Sequence, residues 1–117
     1  MRIKKVKIKG HVTDGTAVIE FIVNRLREMT DVQKTIEEIE SVAYNYDVQV
    51  LVLDFKRLRF MTSAFLSRLV ALNKGLKQAG IELRVCEMQP EVERAFRICK
   101  LQKVIPIFPD REKATAS

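Results

Sequence analysis

Few residues of this chain could do chemistry, and two of them are neighbours. Thr62 and Ser63 stand between a strand-like run that ends at Met61 and an apolar, helix-like pattern that follows. Basic residues flank the pair, Lys56, Arg57 and Arg59 before it and Arg68 after it. Ser63 falls at the expected N-cap of the helix, where a hydroxyl accepts a hydrogen bond from an orphan backbone N–H and contributes about 1 kcal/mol. The same place suits an anion, because a helix N-terminus carries partial positive charge and free N–H groups. A phosphate there would change the surface by about two negative charges without local repulsion. Asp54 ends a strand without a second carboxylate or a His near it in sequence, and a hydrogen bond to the following loop is its expected role. Cys86 and Cys99 lie thirteen residues apart with His11 as the only histidine, so they read as small buried hydrophobes and not as metal ligands. No Gly-rich phosphate loop or nucleophile elbow occurs. No enzyme is expected, and no catalytic role for Asp54, Cys86 or Cys99.

The bounds fit a single small globular domain. At 117 residues the chain is one domain, able to bury about two-thirds of the surface its unfolded form exposes. No apolar run reaches the roughly 20 residues of a membrane helix, and the opening MRIKKVKIKG lacks the continuous apolar stretch of a signal peptide. A cytoplasmic protein with reduced thiols is expected. The formal charge of +6 raises nucleic acid as a partner. Its distribution speaks against that: lysines at 4, 5, 7 and 9 and the KRLR patch at 56–59 are concentrated, and other cations are interleaved with acids. No stacking motif joins them. A basic nucleic-acid or anion-binding role for the N-terminal strand remains the alternative of a different class.

The elements that must position the hydroxyl pair follow from periodicity. Val6 and Ile8 alternate with lysines as a half-buried strand, and Asp14-Gly15 supplies hairpin chemistry before a return strand over 16–23. NRLREM reads as polar and irregular. Thr30 and Gln33 read as a capping box opening a helix to about Tyr44, with Val32, Ile36, Ile39 and Ala43 as its stripe. VQVLVLDF, 48–55, is apolar enough to be a central strand covered on both faces, with Val50 and Val52 buried. Residues 63–79 form the second helix, its stripe at Phe65, Leu69, Leu72 and Leu76, and Gly80 stops it. IELRVC is the next strand, Pro90 opens a third helix with Val92, Ala95, Phe96 and Cys99 inward, and KVIPIFPD is at best a short edge strand. The tail from Asp110 has room for one loose helical turn. The order β-β-α-β-α-β-α plus an edge strand predicts an α/β fold, a single mixed sheet with helices packed on it.

The stretch from Val50 to Phe108 resembles the STAS family, which includes anti-sigma factor antagonists and sulfate-transporter-associated domains. The family pattern is a buried strand ending in Asp, then Asp-Ser-(Ser or Thr)-Gly-Leu-Gly opening a helix. A Gly before the next strand and an apolar-patterned helix with a Leu before the last strand complete it. Here those elements are Asp54, the stretch Phe60 to Ser67, Gly80, ELRVCEM, and VERAFRICKLQKVIPIF. The chain departs from the motif: Thr62 replaces the Asp, Ala64 the second hydroxyl, Phe65 the first Gly and Ser67 the last, while Ser63 keeps the first Ser position. The resemblance implies a bacterial, non-enzymatic regulator of transcription without a cofactor. Its partners would be an anti-sigma factor, often a serine kinase, and a PP2C-type phosphatase. It would have no membrane association and would be a monomer or weak dimer. It also implies a candidate phosphorylation site at Ser63 and a candidate partner surface of Arg25, Arg27, Thr62, Ser63, Ala64, Phe65, Ser67 and Arg68. A constitutive docking domain without the phosphate switch is the alternative that the altered motif allows.

Overall fold

The computed structural model describes residues 1–26 and 28–116. Strands β1 (Arg2–Lys4), β2 (Ile8–Thr13) and β3 (Thr16–Phe21) open the chain, followed by β4 (Arg25–Leu26), α1 (Met29–Asn45) and β5 (Val50–Asp54). Next come β6 (Phe60–Met61), α2 (Ser63–Gln78), β7 (Glu82–Cys86), α3 (Pro90–Ile98), a 3-10 turn, β8 (Ile107–Phe108) and α4 (Arg111–Thr115). The main sheet runs β1-β2-β3-β5-β7-β8, and β4 pairs with β6 in a second, two-stranded sheet. The pairs from β3 to β8 are parallel and those among β1, β2 and β3 antiparallel, so the expected mixed sheet is present.

The opening strand differs from expectation. The chain turns back at residues 5–7, where the Lys5 N–H donates to the Ile8 carbonyl at 2.8 Å, and β1 lies antiparallel on β2. Val6 is therefore exposed, and Ile3 joins Ile8 in the core. Alternation of lysine with apolar residues is the same in one long strand and in a hairpin; folding back buries Ile3 opposite Gly10. A Cβ at Gly10 would overlap the Val18 carbonyl oxygen, so a side chain there is excluded. Asp14 and Gly15 have φ values of 51° and 80°, which is the type I′ turn their identities predict.

One face of the sheet carries Ile19, Phe21, Leu51, Leu53, Leu83 and Val85 into the main core with α1 and α2. The α2 stripe of Phe65, Leu69, Leu72 and Leu76 is buried there as its spacing predicts. The back face carries Val18, Val52 and Cys86, covered by Ala114 of α4, with Val50 half-buried at its margin. The tail is thus a docked helix and not a loose turn, and it is what makes β5 apolar on both sides.

The helix ends also divide. At α2 the Gly80 N–H donates to Lys77 O at 3.0 Å and the Ile81 N–H to Leu76 O at 2.8 Å, with Gly80 at φ 78°. This is the Schellman stop that Gly80 announces. Pro90 is at the first position of α3. Helix α1 begins earlier than Thr30: Glu28 is its N-cap and makes no side-chain capping bond, so the Thr30–Gln33 box does not form. Pairing of Arg25–Leu26 with Phe60–Met61 brings the chain to the helix sooner than the polar text of NRLREM suggests. Cys86 is buried as expected, but Cys99 is exposed because the helix ends at Ile98 and its cap residue points away from the core.

Candidate functional site

The junction into α2 is built from three directions. Strand β5 ends in Asp54, whose Oδ1 accepts the Lys56 N–H at 2.8 Å. The Phe55 N–H donates to Cys86 O at 2.9 Å, the Leu58 N–H to Phe55 O at 3.0 Å, and Leu58 is fully buried. The link then crosses to β4: the Arg59 and Phe60 N–H groups both reach Asn24 O, at 2.8 and 3.2 Å. Gln89 holds the link from the other side, donating to Lys56 O at 2.6 Å.

The far oxygen of Asp54 is fixed by a partner that sequence reading did not find. Arg111, at the start of α4, donates from Nε and Nη2 to Oδ2 at 3.0 and 2.6 Å, a fork-like ion pair with a carboxylate that is almost wholly buried. Burial alone would lower the Arg111 guanidinium, but the hydrogen bond and charge of Asp54 outweigh it and raise its pKa, with Glu20 adding to the effect. Asp54 therefore does bond the following loop, and its second oxygen ties that loop to the C-terminal helix. Nearby Cys86 is pushed up to about 12 by burial, and by the negative charges of Asp54 and Glu87. It is a protonated thiol at neutral pH, unsuited to nucleophilic work. Among the described residues no group of three or more His, Cys, Asp or Glu could hold a metal, and no helix is long and apolar enough to cross a membrane.

At the junction itself the N-cap expected at Ser63 falls on its neighbour. Thr62 is the N-cap, its side chain accepting the Phe65 N–H at 3.3 Å. Ser63 is the first helical residue and is exposed. The shift has a local cause: β6 ends at Met61, so Thr62 keeps an extended backbone (φ −90°, ψ 165°) and takes the capping position.

The remaining candidates separate into surface and core. Arg25 is exposed on β4 directly opposite Phe60, Ser67 is exposed one turn beyond Ser63, and Ala64 and Arg68 are half-buried. Phe65 is withdrawn from any partner: its ring is fully buried against Phe21 and Phe55, with centroid distances of 5.9 and 6.5 Å. A bulky residue is accommodated there because its ring packs edge-to-face with Phe21 and Phe55. Arg27 lies outside the described residues. The sequence missed Phe60 as a surface residue; it is 50 % exposed while Met61 packs inward. A two-residue strand offers too short an alternation to predict which side faces out.

This fold and junction can be set beside known proteins. The STAS domain model matches residues 4–114. The chain belongs to the STAS domain family. BtrV of Bordetella bronchiseptica, whose name places it among candidate anti-sigma factor antagonists, is 36% identical over 67 residues, 57% of this chain and 58% of BtrV. The anti-sigma F factor antagonist of Paenibacillus polymyxa is 34% identical over 64 residues, 55% of each chain. The matches thus span little more than half the length of these curated relatives. Among solved structures, an anti-sigma-factor antagonist (STAS) domain protein from Planctomyces limnophilus superposes with a TM-score of 0.80 at 18% identity, covering 95% of this chain and 96% of the other. Unphosphorylated SpoIIAA, an anti-sigma factor antagonist, gives 0.69 at 18% identity over 91% of each chain. Phosphorylated SpoIIAA of Bacillus gives 0.68 at 19%, covering 91% of this chain and 95% of the other. At these identities the structures establish the fold, which is that of the anti-sigma factor antagonists. The STAS domain presents a helix start capped by Thr62, with Ser63 and Ser67 exposed on it and the preceding link tied to the C-terminal helix through Asp54 and Arg111.

Proposed function

We propose that this STAS domain is a cytoplasmic, non-enzymatic bacterial regulator. It docks on an anti-sigma factor through the start of α2, and phosphorylation of Ser63 releases it. The observation that carries the reading is the division of labour between Thr62 and Ser63. Because Thr62 makes the capping bond, Ser63 can be modified without unmaking the helix end. A phosphate at the first helical position is favoured by the helix dipole, yet it adds charge to a surface a partner must desolvate. The relatives named as anti-sigma factor antagonists support the partner class, and SpoIIAA, solved in both phosphorylation states, supports the switch. A serine-kinase anti-sigma factor would add the phosphate and a PP2C-type phosphatase remove it. Arg25, Arg27, Thr62, Ser63, Ala64, Ser67 and Arg68 are the residues proposed to contact the partner, Phe65 being buried.

The test is reconstitution with an anti-sigma factor kinase from the same genome. With ATP, mass spectrometry should find one phosphate, lost in Ser63→Ala. Ser63→Asp should weaken complex formation, and Ser63→Ala should leave it intact. If the kinase binds but adds no phosphate, and Ser63→Asp binds as the wild type does, the domain is a constitutive docking module. If no anti-sigma factor binds, the reading fails.

A further inference from the structure

We propose that the docking surface selects an acidic protein segment bearing an apolar or aromatic side chain that packs on Phe60. This rests on the reading that the start of α2 is the docking surface, and it adds the chemistry of what docks. From Phe55 to Ile81 the chain holds six cations, Lys56, Arg57, Arg59, Arg68, Lys74 and Lys77, and no carboxylate, so Arg68, Lys74 and Lys77 are exceptions to the interleaving of cations with acids expected outside the two basic patches. Tertiary structure adds a seventh, since Arg25 on β4 pairs in register with Phe60 on β6. Lys56, Arg57, Arg59 and Arg25 are all exposed, and the first three line a shallow cleft of about 770 Å³ at the carboxyl ends of β3 and β5. Glu20 is the carboxylate that reaches this cleft, and it faces Lys9 at 3.5 Å and Arg111 at 3.9 Å.

Next to these cations the surface also exposes apolar side chains. Phe60 is 50 % exposed and Val70 42 % exposed, and Ser63, Ser67 and Val70 follow one another at helical spacing along one face of α2. An exposed aromatic with Arg59 before it in the chain and Arg25 across the strand pair suits the way interfaces concentrate binding energy: an apolar anchor desolvated on binding, with neighbouring charges that steer and select. Nucleic acid is a poorer fit. A strand-binding groove lays several aromatics along a basic track, whereas here a single exposed aromatic, Phe60, stands beside Arg25 and Arg59. Charge complementarity also explains the sign of the switch. A phosphate on Ser63 would offset about two of these positive charges and oppose an acidic partner directly.

The test is a titration of the nitrogen-15-labelled full chain with a random glutamate–tyrosine copolymer. Poly-glutamate of equal length and a single-stranded DNA oligonucleotide serve as comparators. The copolymer should perturb the amides of Arg25, Arg59, Phe60, Ser63 and Ser67, and bind about tenfold more tightly than poly-glutamate. Phe60→Ala should erase that advantage; Phe60→Thr, which keeps a strand-favouring residue, should do the same. Arg59→Glu should weaken both polymers, while Lys4→Glu on β1 should change neither. Affinity should fall between about 50 and 200 mM salt, as screening requires. Equal binding of the two polymers, shifts centred on Arg2, Lys4 and Lys9, tighter binding of DNA at the same face, or self-association covering these amides before any probe is added would each overturn the proposal. No anti-sigma factor enters this titration. Failure here removes the acidic partner and leaves docking to the kinase reconstitution, whereas failure of the kinase to bind leaves the polymer result standing.

Discussion

Helices α1 and α2 lie on the same face of the sheet and bury similar apolar stripes, yet they differ at both ends and on their outer surfaces. Helix α1 carries Asp31, Glu37, Glu38 and Glu40 against one Lys34, whereas α2 carries Arg68, Lys74 and Lys77 with no carboxylate. Helix α1 starts without a side-chain cap; α2 starts on Thr62 and stops on a Schellman turn. The core needs only the buried stripe, and both helices provide it. Precise ends and a single sign of charge add little to core packing. Their concentration at α2 is what the proposed docking role of its start requires.

The largest effect should show where the two helices are alike. Leu69→Ala in α2 and Ile39→Ala in α1 each truncate a fully buried side chain and should cost about 2–5 kcal/mol in chemical denaturation. A much smaller loss for Leu69 alone would mean that α2 is held by its ends more than by its core. Next comes the brace behind α2, which α1 lacks. Arg111→Ala leaves the buried Asp54 carboxylate without its charged partner and should cost about 1–3 kcal/mol. It should also broaden amide resonances in the 55–60 link while sparing α1. Unchanged spectra in the link would detach the C-terminal helix from the junction.

The ends themselves should give a smaller, more discriminating effect. Thr62→Ala should cost about 1 kcal/mol as a cap loss, whereas Ser63→Ala and Thr30→Ala, neither of which caps a helix in the structure, should each stay within about 0.5 kcal/mol. If Ser63→Ala were the costlier of the α2 pair, the cap would belong to Ser63 and its freedom for modification would be lost. The smallest effect concerns the outer charges. Reversing Lys74→Glu on α2 should change stability by no more than about 0.5 kcal/mol in thermal melts, which would separate the cationic surface from folding and leave it to recognition.

The sequence by itself determined whatever is decided within a few residues. The four-three-four spacing fixed the buried face of α2, Asp14-Gly15 fixed the hairpin, Gly80 the helix stop and Pro90 the start of α3. Each of these depends on neighbours no more than about four positions away. The near-continuous apolar run at 50–53 also required cover on both sides, without saying what would supply the second cover. Only the tertiary structure decided that α4 supplies it, that Arg111 reaches Asp54 across fifty-seven residues, and that the opening strand folds back to bury Ile3. It also decided which hydroxyl caps α2. Thr62 or Ser63 could serve equally by type, and the choice turns on where β6 ends. That in turn depends on β4, a strand of two residues with no periodicity of its own, whose pairing exists only once the rest of the fold brings Asn24 beside Arg59 and Phe60.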